Sequence, residues 1–174
     1  MMVYMDMFNR EDIFNKELYP AYRNIVGGIR DRSVYTSVRN KIEKLRQLVR
    51  KTYRMVHDLS VEYRNADIEI IASMIGRIDY LAQEMEDLID EILEEKIPPG
   101  EDSETFKQYL RRILYEVIYN IDNDASTLIF EIEHGDEINM DYYQFEDELV
   151  KFLDDTERAL KEIDSSLNEI LRHM

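Results

Sequence analysis

VRNKIEKLRQLVRKTYRMVHDLSVEY, residues 38 to 63, decides the fold. Positions 38, 42, 45, 49, 52, 56, 59 and 63 alternate steps of four and three and are apolar or aromatic, with Thr52 the one polar interruption. Side chains three and four apart share one face of an α-helix, so this spacing predicts a long helix with a narrow apolar seam. After Arg64-Asn65-Ala66-Asp67 the pattern restarts in Ile68, Ile71, Ile75, Ile78, Ala82, Met85, Ile89 and Ile92. Two seams across so short a join predict an antiparallel helical hairpin. Arms of about thirty residues would make a rod of roughly 45 Å.

The punctuation outward from this hairpin is consistent with more of the same. Asn65 or Asp67 is placed to cap the second arm through its short side-chain oxygen. Lys96-Ile97-Pro98-Pro99-Gly100 ends that arm, because consecutive prolines lack amide donors and push the residues before them out of helical geometry. Asp102 or Ser103 offers a cap for a third helix, striped with Phe106, Leu110, Ile113, Val117, Ile121, Ala125, Leu128 and Ile132. Gly135 is expected to close it in a left-handed conformation. A fourth helix starts near Asn139 or Asp141, with its seam at positions 142, 145, 149, 152, 156, 160, 163, 167 and 170. The extra residue between 156 and 160 perturbs the supercoil without breaking the helix. Ahead of these lies a shorter apolar segment, Asn9 to Val26, divided by Pro20 and closed by Gly27-Gly28.

The expected fold class is therefore all-α: an antiparallel bundle of four long helices in two hairpins, plus a shorter N-terminal helical segment. The expected organisation is one domain over 1–174, with the N-terminal segment at 9–28, the first hairpin at 33–97 and the second at 102–173. Seams this narrow also permit a second chain to supply packing partners, so a coiled-coil-like homodimer is a further expectation.

Composition supports this reading and excludes several chemistries. Three Pro and five Gly against 34% charged residues suit a bundle, and 44% apolar content in 174 residues suffices for one sizeable core. With no cysteine there is no disulfide framework, thiolate metal site or cysteine nucleophile. The run Met1-Met2-Val3-Tyr4-Met5-Asp6-Met7-Phe8 lacks the basic lead of a signal peptide, and no stretch approaches ~18 uninterrupted apolar residues. A cytoplasmic protein with no membrane contact is the expectation.

Charge is distributed unevenly. The net value is −16, which disfavours general attraction to nucleic acid or anionic lipid. Yet between Ser37 and His57 stand Arg39, Lys41, Lys44, Arg46, Arg50, Lys51 and Arg54 against Glu43 alone. Arg39, Arg46, Arg50, Arg54 and His57 share one helical face at a pitch that can track phosphates, which makes them the candidate nucleic-acid-binding residues. The competing reading pairs them with carboxylates of neighbouring helices, especially Glu84 to Glu95.

Arg50 and His57, six residues apart in between, resemble the arginine–histidine motif of HEPN-type ribonucleases. That resemblance implies RNA cleavage at a dimer interface. Here Lys51 follows the arginine where that family carries a small polar residue, and the motif falls in the first third of the chain. The pairs Glu84 with Asp87 and Glu91 with Glu94 resemble the acidic magnesium motifs of all-α nucleotide pyrophosphohydrolases, which require acids converging from two helices. Glu116 and Asp122 offer the third helix's share at another spacing. Glu131 and His134 have the Glu-x-x-His spacing that resembles ferritin-like diiron proteins, without a second such pair. They are the candidate metal ligands, although no metal and no cofactor is expected. The order of segments from Glu17 to Leu59 also resembles the helical domain of archaeal GINS subunits, over about a third of the chain.

Twelve tyrosines fall mostly on or beside the seams, where burying the ring and wetting the hydroxyl is the expectation. Tyr142-Tyr143 beside Phe145 is the one compact cluster that offers a partner surface as an alternative, core packing being the expectation. Gly27-Gly28 lacks the lysine and strand of a nucleotide loop, and no elbow-type serine accompanies the three histidines. The reading is a non-catalytic helical module for protein–protein interaction, as a homodimer or a small subunit of a larger assembly. The alternative is a nucleic-acid-associated subunit; a metal-dependent nucleotide hydrolase or HEPN-like ribonuclease is the lesser alternative.

Overall fold

A computed structural model describes residues 32–174. The segment expected at 9–28 lies outside the described residues. Four long helices follow: α1 (Arg32–Glu62), α2 (Ile68–Leu93), α3 (Glu101–His134) and α4 (Tyr142–Arg172). A single tight turn of 3₁₀ helix, Tyr63–Asn65, leads from α1 towards α2. Among the described residues there is no strand, and the chain is an all-α bundle.

Around the bundle the order is α4, α1, α2, α3. α1 packs along α2 on one side and α4 on the other, α3 packs along α2, and α3 meets α4 only lightly. The second pair of helices is thus antiparallel, but each arm finds its main neighbour in the first hairpin. One continuous core results, reaching from Val38 to Ile170. The seam of α1 is buried along its whole length, including the polar Thr52, whose hydroxyl donates to the Leu48 carbonyl at 2.7 Å. Because each seam buries the others, the core is completed within one chain.

Two seam positions behave differently from expectation. Ile68 at the start of α2 and Tyr142 at the start of α4 are 42% and 51% exposed. Both lie at the end of the bundle where the α1–α2 turn and the α3–α4 loop meet, beyond the last full layer of the core.

The helix boundaries follow local chemistry. Asp67 is the residue before α2, and its carbonyl accepts from Ile70 and Ile71 at 3.0 Å, but its side chain makes no cap. α3 begins earlier than expected. Gly100, at φ +155°, precedes it and accepts from the Glu104 amide, which places Ser103 inside the first turn and buries it. Gly135 is not left-handed: it keeps right-handed helical angles (φ −55°, ψ −39°), and the positive φ of this loop falls on Asn139 (φ 56°). Asparagine tolerates that region better than other residues bearing a Cβ. α4 opens with a full capping box, in which Asp141 accepts from the Gln144 amide at 2.8 Å and Gln144 accepts from the Asp141 amide at 3.2 Å.

Within α3 the six residues Ile113–Ile118 form a π-helical stretch between α-helical halves. The stripe contains three successive four-residue steps, 113, 117, 121 and 125, which a regular helix would rotate away from the core. Widening the turns keeps the stripe facing inward, and buries Leu114 and Ile118 beside Ile113 and Val117. α4 absorbs its own extra step between 156 and 160 as continuous α-helix.

Candidate functional site

The basic face of α1 is built by seven-residue and four-residue spacing, and the bundle gives it two neighbours. Its arginines and His57 look towards α4. Arg46 donates to Asp164 Oδ1 at 3.0 Å, Arg50 pairs with the same oxygen at 3.2 Å, and His57 Nδ1 lies 3.0 Å from Glu157. The lysine flank looks towards α2: Lys41 reaches Glu95 at 2.6 Å, and Lys44 and Lys51 share a groove with Glu84, Asp87 and Glu91. Arg39 pairs along its own helix with Glu43. Lys41 and Ser37 both donate to Glu95 and hold its carboxyl below the ordinary range. Pairs this accessible are worth about 0–1 kcal/mol each, so they orient helices more than they stabilise them.

Of the candidate phosphate binders, the structure therefore engages Arg39, Arg46, Arg50 and His57 with carboxylates, leaving Arg54 exposed without an ion pair among the described residues. The expected neutralising stretch, Glu84 to Glu95, serves the lysines; α4 supplies the acids for the arginines. Arg50 and His57 engage different carboxylates of α4.

Glu131 and His134 are not brought together. Glu131 lies beside Glu148 of α4, while His134 turns to Glu137 at 3.3 Å and packs on the Phe130 ring at 4.5 Å between centroids. Among the described residues no group of three metal-capable side chains converges. Nor do Glu84 and Asp87 meet Asp122. The acids that do meet between α2 and α3 are Asp79 and Glu86 of α2, each set beside Asp122 of α3. Burial, then the Asp122 carboxylate beside them, pushes Asp79 and Glu86 up to about 7. Sequence reasoning missed this cluster. Its one signal was the seven-residue spacing of Asp79 and Glu86 along the flank of the α2 seam.

The loop end carries the other unusual surface. Exposed here with Ile68 and Tyr142 are Val61, Phe130, Ile138 and Tyr143, the last at 78%. Tyr142 stands against Tyr143 edge to face, with centroids 6.3 Å apart, so the tyrosine pair expected to pack in the core faces outward while Phe145 is buried. Around this apolar set, residues 61–70 and 130–147 hold ten acids, Arg64 and His134. Arg64 is turned onto Tyr63, donating to its hydroxyl at 3.0 Å and lying over its ring.

No described helix is long and apolar enough to cross a membrane. Comparisons with family models, with curated proteins and with solved structures returned no match.

Proposed function

We propose that this chain is a non-catalytic interaction module whose loop end docks an apolar, basic segment of a partner protein. The observation that carries the reading is the set Ile68, Tyr142, Tyr143, Phe130, Ile138 and Val61, exposed at one end of a bundle whose seams are otherwise buried. Two of these residues sit on seam positions, so sequence patterning that elsewhere makes core here makes surface. Large aromatic and aliphatic groups grouped at one exposed site are what partner recognition uses, whereas singly scattered ones need no explanation. The acidic rim selects the partner's sign: a cationic segment is steered in and an acidic one repelled.

The test is a nuclear magnetic resonance titration of the labelled full chain with a helical peptide of lysine and leucine at amphipathic spacing. Shifts confined to residues around 61–70 and 130–147 are expected, with none from the matching glutamate–leucine peptide. Equal response to both peptides, or shifts centred on another face, overturns the reading. Concentration-dependent dimerisation abolished by Tyr143→Glu would assign the surface to a second copy of the chain and overturn the basic partner.

A further inference from the structure

A groove between α1 and α4 stands out from the other three grooves described by its charge. It is lined by Gln47, Arg50, Tyr53 and Arg54 from α1 and by Lys161 and Asp164 from α4, and encloses about 510 Å³. That volume falls within the ~300–1,000 Å³ usual for small-molecule sites. Three cations here face one carboxylate, in a chain whose net charge is −16. Asp164 is already occupied, since Arg46 and Arg50 both pair with its Oδ1. Arg54 and Lys161 are exposed and form no ion pair among the described residues. The α1–α2 groove of Lys44 and Lys51 holds three carboxylates and the groove of Arg64 and Lys151 also holds three, while the groove of Lys51 and Arg77 sets two cations against Glu84, so the excess of positive charge is largest here.

We propose that this groove binds a phosphate ester that carries a planar ring, of mononucleotide size. Arg54 and Lys161 hold the phosphate from opposite walls, the guanidinium in its two-pronged geometry and the ammonium as a point charge. Tyr53 supplies a ring wall. It is half-buried and stacked on His57, with planes 7° apart and centroids 6.3 Å apart, so its orientation is set before a ligand arrives. Gln47 adds an amide able to donate and accept, which suits the polar edge of a heterocycle. Arg50, held by Asp164, lines the floor between ring and phosphate.

Calorimetric titration of the full chain at low ionic strength tests this with three probes: adenosine 5′-monophosphate, adenosine and inorganic phosphate. The nucleotide is expected to bind at least about tenfold more tightly than either part, which corresponds to ~1.4 kcal/mol. Arg54→Ala and Lys161→Ala should each weaken it about fivefold to tenfold, Arg54→Glu should abolish it, and Asp164→Asn should tighten it by removing the opposing charge. All three positions lie outside the core, and a thermal melt of each variant establishes folding. Absence of nucleotide binding overturns the proposal, as does binding that Arg54→Glu leaves unchanged. Phosphate binding as tightly as the nucleotide removes the ring-bearing class. Single-stranded RNA binding with far higher affinity than the mononucleotide would replace a small ester by a polymer. The lysine–leucine peptide should bind Arg54→Glu as it binds the parent chain, which keeps this outcome separate from that of the loop end.

Discussion

Glu131 of α3 lies beside Glu148 of α4. Burial first, and then the Glu148 carboxyl next to it, pushes Glu131 up to about 7. The contact spans the least closely packed side of the bundle. Asp79 and Glu86, facing Asp122 across α2 and α3 with Asp87 and Asp90 also near Glu86, are raised to about 7 in the same way.

The consequence is an inverted pH dependence. A carboxyl whose pKa is higher in the folded than in the unfolded chain binds more protons when folded, so its contribution is full below the unfolded value and lost as pH rises through the folded one. Stability should therefore increase as pH falls from about 8 towards about 5, the window between the raised values near 7 and the ordinary carboxylate range. Below that, Glu95 acts oppositely, because its depressed pKa gives stability that vanishes on protonation. Denaturant melts at intervals across this range check it. Glu131→Gln, Asp79→Asn and Glu86→Gln should each flatten the slope, and a stability that rises from pH 5 to 8 would contradict the raised carboxyls.

Thr52 and Thr156 are both fully buried seam residues, yet only one is satisfied. Thr52 donates to the Leu48 carbonyl, while the Thr156 hydroxyl has no partner. An unpaired buried hydroxyl costs about 1–3 kcal/mol. Thr156→Val, which keeps the shape and removes the oxygen, should stabilise the chain by about 1 kcal/mol and raise the melting temperature by about 2–4 °C. Thr52→Val should gain less, since it discards an existing hydrogen bond. Thermal melts of the two variants side by side give the comparison.

The N-terminal residues of α2 and α4 offer a second matched pair. Asp141 closes a reciprocal capping box with Gln144, whereas Asp67 stands in the equivalent place with no side-chain bond. Asp141→Ala should cost about 1 kcal/mol, within the range of lost N-caps, and Asp67→Ala measurably less. Chemical denaturation of both variants against the parent chain measures the difference.

What the sequence made legible, and what it hid, follows from the reach of periodic patterning. The seam of α1 was readable because every step is local to one helix, and each of its positions is buried. The π-helical turns at Ile113–Ile118 were also written there, as three four-residue steps in succession, a drift that only a wider turn keeps inward. Patterning does not say where a bundle stops, so Ile68 and Tyr142 read as core although no layer covers them. Nor does it say which neighbour faces a charged stripe. Arg46 and Arg50 of α1 met Asp164 of α4, and His57 met Glu157, rather than the acids of α2, because the helix order around the bundle is a tertiary fact. The meeting of Asp79 with Asp122 belongs to the same category. The left-handed residue of the last loop, Asn139 rather than Gly135, depended on α3 extending its right-handed geometry through the glycine.

The loop end yields the prediction that separates surface from core most sharply. Ile68 and Tyr143 are exposed, so Ile68→Ser and Tyr143→Ser remove little buried packing and should change stability by no more than about 1 kcal/mol. Ile71 lies three residues beyond Ile68 on the same seam and is buried, so Ile71→Ala should cost about 2–5 kcal/mol. If the exposed residues form a docking surface, the two serine variants should weaken the lysine–leucine peptide at least about tenfold while melting like the parent chain. Raising the salt concentration should weaken the same peptide further in the parent chain, because the acidic rim acts over no more than about 10 Å at 0.1 M ionic strength. Serine variants that lose stability as Ile71→Ala does would place Ile68 and Tyr143 in the core. Variants that keep both stability and peptide affinity would leave the loop end without a role in docking.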